Sequence, residues 1–194
     1  MRKKKIKIQE KTIVNLKYCS RESLGSLGSR RNMKVNGDLD LNYCTGITKL
    51  PDGLKVGGNL SLYYCAGLKK LPDGLKVGGR LDIGLCTRIT KLPGDFTVGG
   101  DLYLSGCTGL TKLPDGLTVG GGLDLEDCTG LTSLPDDLTV NGNLRLSLCT
   151  GIKKLPVDLR VGGTILYDSQ TGFSRQVRNP KVIPERLKHK LKEM

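Results

Sequence analysis

The chain has 194 residues, 31 Lys+Arg against 19 Asp+Glu, a formal net charge of +12, six tyrosines, two phenylalanines and no tryptophan. That length suits one domain, and no apolar run is long enough for a signal peptide or a membrane-spanning helix. Seven cysteines with no C-x-x-C pair argue against a metal site, and their number fits a reducing compartment, so the expected location is the cytosol, of the encoding cell or of a host.

Residues 1–11 form a basic N-terminal segment, Met1-Arg2-Lys3-Lys4-Lys5 leading into Ile6-Lys7-Ile8-Gln9-Glu10. Residues 12–36 read as a degenerate capping coil: Val14-Asn15-Leu16-Lys17-Tyr18-Cys19 matches Leu39-Asp40-Leu41-Asn42-Tyr43-Cys44, with a polar stretch from Ser20 to Asn32 following it. From residue 37 the pattern becomes strict. Cysteines 44, 65, 86, 107, 128 and 149 fall 21 residues apart, and six full repeats occupy 37–162. A fixed period of this size marks a solenoid, in which each unit leaves a face unburied until its neighbour stacks on it.

Within a repeat, Leu102-Tyr103-Leu104 and Leu117-Thr118-Val119 alternate apolar and polar residues as short strands do. Between them Pro114-Asp115-Gly116 carries turn chemistry, and Gly120-Gly121 makes the second corner. The inward set is Leu102, Leu104, Cys107, Leu110, Leu113, Leu117 and Val119. Residues 163–178 read as a C-terminal capping coil, in which Gln170-Thr171-Gly172-Phe173 copies Cys149-Thr150-Gly151-Ile152 with glutamine in the cysteine position. Residues 179–194 form a basic tail, and Pro184 to Leu191 predicts a short helix with proline in its first turn and Ile183, Leu187 and Leu191 along its apolar side. The expected architecture is a β-solenoid with two short parallel strands per 21-residue coil, about eight coils, and little helix apart from that C-terminal one.

At L-x-L-x-x-C-x-x-L the repeat resembles the leucine-rich repeat, with Leu102, Leu104, Cys107 and Leu110 in the conserved roles. The Leu113-Pro114 step is similar to short repeats of bacterial effectors and of bacterial and phage proteins. Two departures stand out: glycine or asparagine at 57, 78, 99, 120, 141 and 162 replaces the family's first leucine, and two residues separate the cysteine from the next leucine. The resemblance implies a right-handed leucine-rich-repeat solenoid. It also implies a binding module. No catalytic constellation, cofactor motif or metal-ligand spacing stands in the sequence, so no enzyme, cofactor or metal is expected.

The cysteines are expected to be free, buried thiols whose weak S–H donors reach turn carbonyls, because parallel Cβ vectors in a stack give a poor disulfide torsion. The charge sits at the ends: residues 1–36 hold 11 Lys/Arg and 2 Asp/Glu, 37–162 hold 13 and 14, and 163–194 hold 7 and 3. Basic ends serve solubility or contact nucleic acid, for which Arg2, Lys3, Lys4, Lys5, Lys7, Arg30 and Arg31 are the candidates. Lys49, Lys70, Lys91, Lys112 and Lys154 share a column, broken by Ser133 and partly neutralised by Asp52, Asp73, Asp115 and Asp136.

Outward positions of the first strand vary where the leucines do not. Stacking would align Tyr18, Tyr43, Tyr64 and Leu85 into an aromatic and apolar stripe, with Tyr63 beside it and the face turning acidic further along. Tyr43, Tyr63, Tyr64, Leu85, Asp82, Tyr103 and Asp124 are the candidate partner-binding residues. The plainer account is a tyrosine ladder that only covers the strand edge. The leading expectation is a protein partner on this face and no membrane. The alternatives are nucleic-acid binding, inhibition of a nucleic-acid-handling complex, or a structural place in a larger particle.

Overall fold

A computed structural model describes residues 14–15, 32–174 and 183–194. Its strands, in chain order, are β1 (Val14–Asn15), β2 (Lys34–Val35), β3 (Leu39–Asp40), β4 (Lys55–Val56), β5 (Leu60–Ser61), β6 (Lys76–Val77), β7 (Leu81–Asp82) and β8 (Thr97–Val98). They continue with β9 (Leu102–Tyr103), β10 (Thr118–Val119), β11 (Leu123–Asp124), β12 (Thr139–Val140), β13 (Leu144–Arg145), β14 (Arg160–Val161), β15 (Ile165–Tyr167) and β16 (Leu191–Glu193). The odd-numbered strands up to β15 line up in chain order as one parallel sheet, with β16 added at its end, and the even-numbered strands from β2 to β14 form the other. The fold is a parallel β-solenoid of six full coils with flanking strands at either end.

The period of 21 sets the register directly. Leu39, Leu60, Leu81, Leu102, Leu123, Leu144 and Ile165 are Cα partners in succession along the first sheet. In each two-residue strand of that sheet from β3 to β13 the first side chain is buried and the second is half-exposed, while in the second sheet the valine is the buried one. One continuous core runs from Met33 to Leu187. All seven inward positions expected for a coil, Leu102 to Val119, lie in it.

Two tight turns bend each coil away from the first sheet. The Cys44 amide donates to the Leu41 carbonyl (3.2 Å), and the Ile47 amide then donates to the Cys44 carbonyl (3.0 Å). A third turn runs from Pro51 to Leu54 with Gly53 at φ 68°, the backbone region that glycine enters without a Cβ clash. The Gly-Gly corner has a different cause. At Gly121 an added Cβ would come within 2.2 Å of Asp101 Oδ1 and 2.9 Å of the Gly100 carbonyl carbon. Here glycine is demanded by the approach of the neighbouring coil, and positions 37, 58, 79, 100, 121, 142 and 163 are all glycine.

The thiols stitch the coils together. Cys65, Cys86, Cys107, Cys128 and Cys149 are free and buried, and each Sγ lies 2.9–3.2 Å from the carbonyl oxygen 24 residues earlier, the one that closes the preceding coil's turn. Cys44 corrects the expectation of free thiols throughout, because it is disulfide-bonded. Cys19 lies outside the described residues.

The C-terminal end also differs from its reading in sequence. Thr171, not Gln170, takes the cysteine role: its buried hydroxyl donates to the Leu146 carbonyl (3.0 Å), whereas Gln170 is exposed. Asp168 produces this shift by bending the chain one residue further, accepting the amides of Gln170 (3.0 Å) and Thr171 (2.9 Å). The expected short helix is a 3₁₀ helix, Glu185–Lys190, and Leu191 does not belong to it. Leu191 instead opens β16, which pairs with β15 and satisfies backbone groups that the end of the sheet would leave open. Ile183 and Leu187 are fully buried beneath it. Arg186 donates to the Val157 carbonyl and Lys190 Nζ to that of Gly162 (3.3 Å), both beside the outer strand β14 of the second sheet.

Candidate functional site

The turn that follows each first-sheet strand from β3 to β13 places its third residue in the left-handed region. Tyr43, Tyr64, Leu85, Gly106, Asp127 and Leu148 have φ between 55° and 69°. Only Gly106 adopts this at no steric cost; a Cβ makes it unfavourable by about 1–2 kcal/mol. Side chains there project from the turn instead of into the core, so Tyr43 (66% exposed), Tyr64 (45%) and Leu148 (37%) are exposed.

Stacking brings Tyr43, Tyr63 and Tyr64 together. The Tyr43 ring lies 5.9 Å from that of Tyr64 and 5.7 Å, edge on, from that of Tyr63. These separations are in the favourable range for aromatic pairs. Missing side chains in the next coils make room for this stripe. A Cβ at Gly84 would meet the Tyr63 ring at 3.0 Å, and Leu85 packs over Gly106. Tyr18 and the basic candidates Arg2, Lys3, Lys4, Lys5, Lys7, Arg30 and Arg31 lie outside the described residues.

The remaining candidates are engaged elsewhere. Tyr103 donates to Asp101 Oδ2 (3.3 Å), with the Arg80 guanidinium 5.4 Å from its ring centroid. Burial, then the Asp101 charge, pushes its phenol upward. Asp82 accepts the Gly84 amide (3.0 Å) and Asp124 the Glu126 amide (2.9 Å), so each caps its own turn. Sequence reasoning passed over the ion pair of Arg145 Nη2 with Glu126 Oε1 (2.9 Å), whose partners stand 19 residues apart, off the repeat period.

The acidic turn of this face, expected from the sequence, is one side of a division of charge within the repeats. In 37–162, the strand-and-turn positions equivalent to 37–43 carry two arginines against seven carboxylates, and the other positions carry eleven Lys/Arg against seven. The balanced body is therefore acidic along the first sheet and basic around the rest. On the second sheet Lys34, Lys55 and Lys76 are exposed and paired in register, and Lys91 bridges to Lys112 in the lysine column. Where Ser133 interrupts that column, an open groove of about 450 Å³ forms over Pro135, Pro156 and Pro184 between Lys112 and Lys154.

Among the described residues no group of three or more His, Cys, Asp or Glu side chains is placed to hold a metal ion, and no helix is long and apolar enough to cross a membrane. Fold and surface together define a repeat protein, a parallel β-solenoid with one aromatic and acidic face. No family model, curated protein or solved structure matches the chain.

Proposed function

We propose that this is a non-enzymatic binding module of the leucine-rich-repeat kind whose first-sheet face holds a protein partner. One observation carries the reading. Tyr43 and Tyr64 stand exposed on left-handed backbone where glycine would relieve the strain, as Gly106 does in the same column. Large exposed aromatics held on a rigid scaffold are the residues that dominate protein interfaces, and strain kept at a surface points to a use for the side chain. The test is retention of cytosolic proteins by the immobilised chain, compared with a Tyr43→Ala/Tyr64→Ala variant of unchanged urea midpoint. The variant is expected to lose a partner that the parent retains; an unchanged set of retained proteins rejects the reading.

A second reading has its own observation. Like charges directly opposite one another destabilise a sheet, yet Lys34, Lys55 and Lys76 are stacked where the next three coils use threonine and the last uses Arg160. Together with Arg2, Lys3, Lys4, Lys5, Lys7, Arg30 and Arg31, this supports contact with nucleic acid. Binding to a labelled duplex that weakens steeply with salt and is reduced by Lys55→Gln/Lys76→Gln would favour it. No binding at low ionic strength would dismiss it.

A further inference from the structure

The structure assigns the occupant of the first-sheet face a chemistry: a short, extended, arginine-bearing segment of the partner protein. This rests on reading that face as the binding surface.

Two of the chain's own arginines show how the face holds a guanidinium. Arg80 lies over the Tyr103 ring beside Asp101, and Arg145 donates to Glu126. Tyr43 and Tyr64 offer the same kind of ring to solvent, with no cation over them among the described residues.

The charge of the face is more than the fold requires. Asp38 and Asp101 each accept the amide 21 residues on (2.6 Å), and Asn59 and Asn143 do the same in their own coils (2.8 Å). Neutral asparagine suffices for the turn, so the aspartates add a negative potential that backbone capping does not use. Asp127 continues the column that Tyr43 and Tyr64 begin. Four coils separate Tyr43 from Asp127, roughly 19 Å at the spacing of neighbouring strands. An extended segment of about six residues spans that distance. Arginine suits such a surface better than lysine because its planar group both stacks on rings and forks onto carboxylates.

The test is fluorescence anisotropy of the full chain with labelled hexa-arginine, hexa-lysine and hexa-glutamate peptides at about 0.15 M salt, where surface charges are screened beyond about 8 Å. Hexa-arginine is expected to bind at least about fivefold more tightly than hexa-lysine, and hexa-glutamate not through this face. Tyr43→Ala/Tyr64→Ala should weaken hexa-arginine about tenfold. Asp127→Asn, a change of charge alone at a half-buried site, should weaken it severalfold and covers the case in which the tyrosine variant folds poorly. Equal affinity for the two cationic peptides, or variants that bind hexa-arginine as the parent does, overturns the assignment. If the tyrosine variant loses its protein partner while hexa-arginine never binds, the surface stands and its chemistry is wrong. If neither partner nor peptide responds, both fall.

Discussion

At the third turn position one backbone angle carries unlike residues. The six side chains there share φ near +60°, yet they are Tyr, Tyr, Leu, Gly, Asp and Leu, so the architecture fixes the conformation and leaves the chemistry free. Sequence showed that Tyr43 and Tyr64 share a column, but not that the column is left-handed, because only Gly106 there advertises the angle. The cysteine column is the opposite case. Burial pushes the Cys65, Cys107 and Cys149 thiols up to about 12 and Cys86 to about 11, and raises Cys128 as well. A thiol reagent at pH 8 should therefore label none of these five in the native chain and all of them in denaturant, as mass mapping would show; native labelling would mean that the coils open locally. The same shifts give a pH dependence of definite sign. The folded state keeps these protons above the ordinary value of 9.0 and the unfolded chain does not, so their stabilisation is complete below that value and is lost as pH rises toward 11–12. Each thiol contributes a slope of about 1.4 kcal/mol per pH unit in that window. Urea midpoints between pH 8 and 10 should fall, and fall less in a Cys86→Ala/Cys107→Ala variant.

Corners and caps decide how the strands are held. Gly121→Ala should cost about 2 kcal/mol or more, because its Cβ would strike both the Asp101 carboxylate and the Gly100 backbone, whereas Gly94→Ala, with nothing within 4 Å, should be neutral or slightly stabilising. Comparable urea midpoints for the pair would show that the coils separate easily to admit a methyl group. At the C-terminus Pro184 and the apolar spacing of Ile183 and Leu187 carry helix chemistry, which the 3₁₀ helix Glu185–Lys190 uses. What the sequence did not show was an unfinished sheet edge at β15, which made Leu191–Glu193 more stable as a ninth strand than as a helical turn. Leu187→Ala should cost about 2–4 kcal/mol, since Leu187 is buried against the last coil. Hydrogen exchange should then show protection lost first in β15 and β16, and uniform loss would mean that the tail is not a separate cap.

Contacts in this molecule run almost wholly between neighbouring coils, so stability is close to a sum over units and interfaces. Removal of residues 100–120, one full period, should leave a folded, shorter solenoid in which Leu81 pairs with Leu123, with a urea m-value lower in proportion to the surface lost. Removal of 100–119 leaves the register one residue out and turns buried positions toward solvent, so it should unfold or truncate the array. Equal outcomes for the two deletions would deny that the 21-residue register governs assembly. The same stacking explains the charge. Counted along the chain the body is balanced, and only the coil geometry sorts its carboxylates toward the first sheet and its lysines elsewhere.

The period, the inward set, the two strands per coil and the turn at Pro-Asp-Gly were legible in the sequence by themselves, because a repeat writes the same local instruction six times and stacking copies it into space. Tertiary structure alone decided the left-handed tyrosine column, the close-approach glycines, the Arg80–Tyr103 and Arg145–Glu126 contacts, the role of Thr171 and the ninth strand. These depend on which atoms of adjacent coils meet across about 5 Å, and a one-dimensional pattern lists the members of a column without saying which way they face.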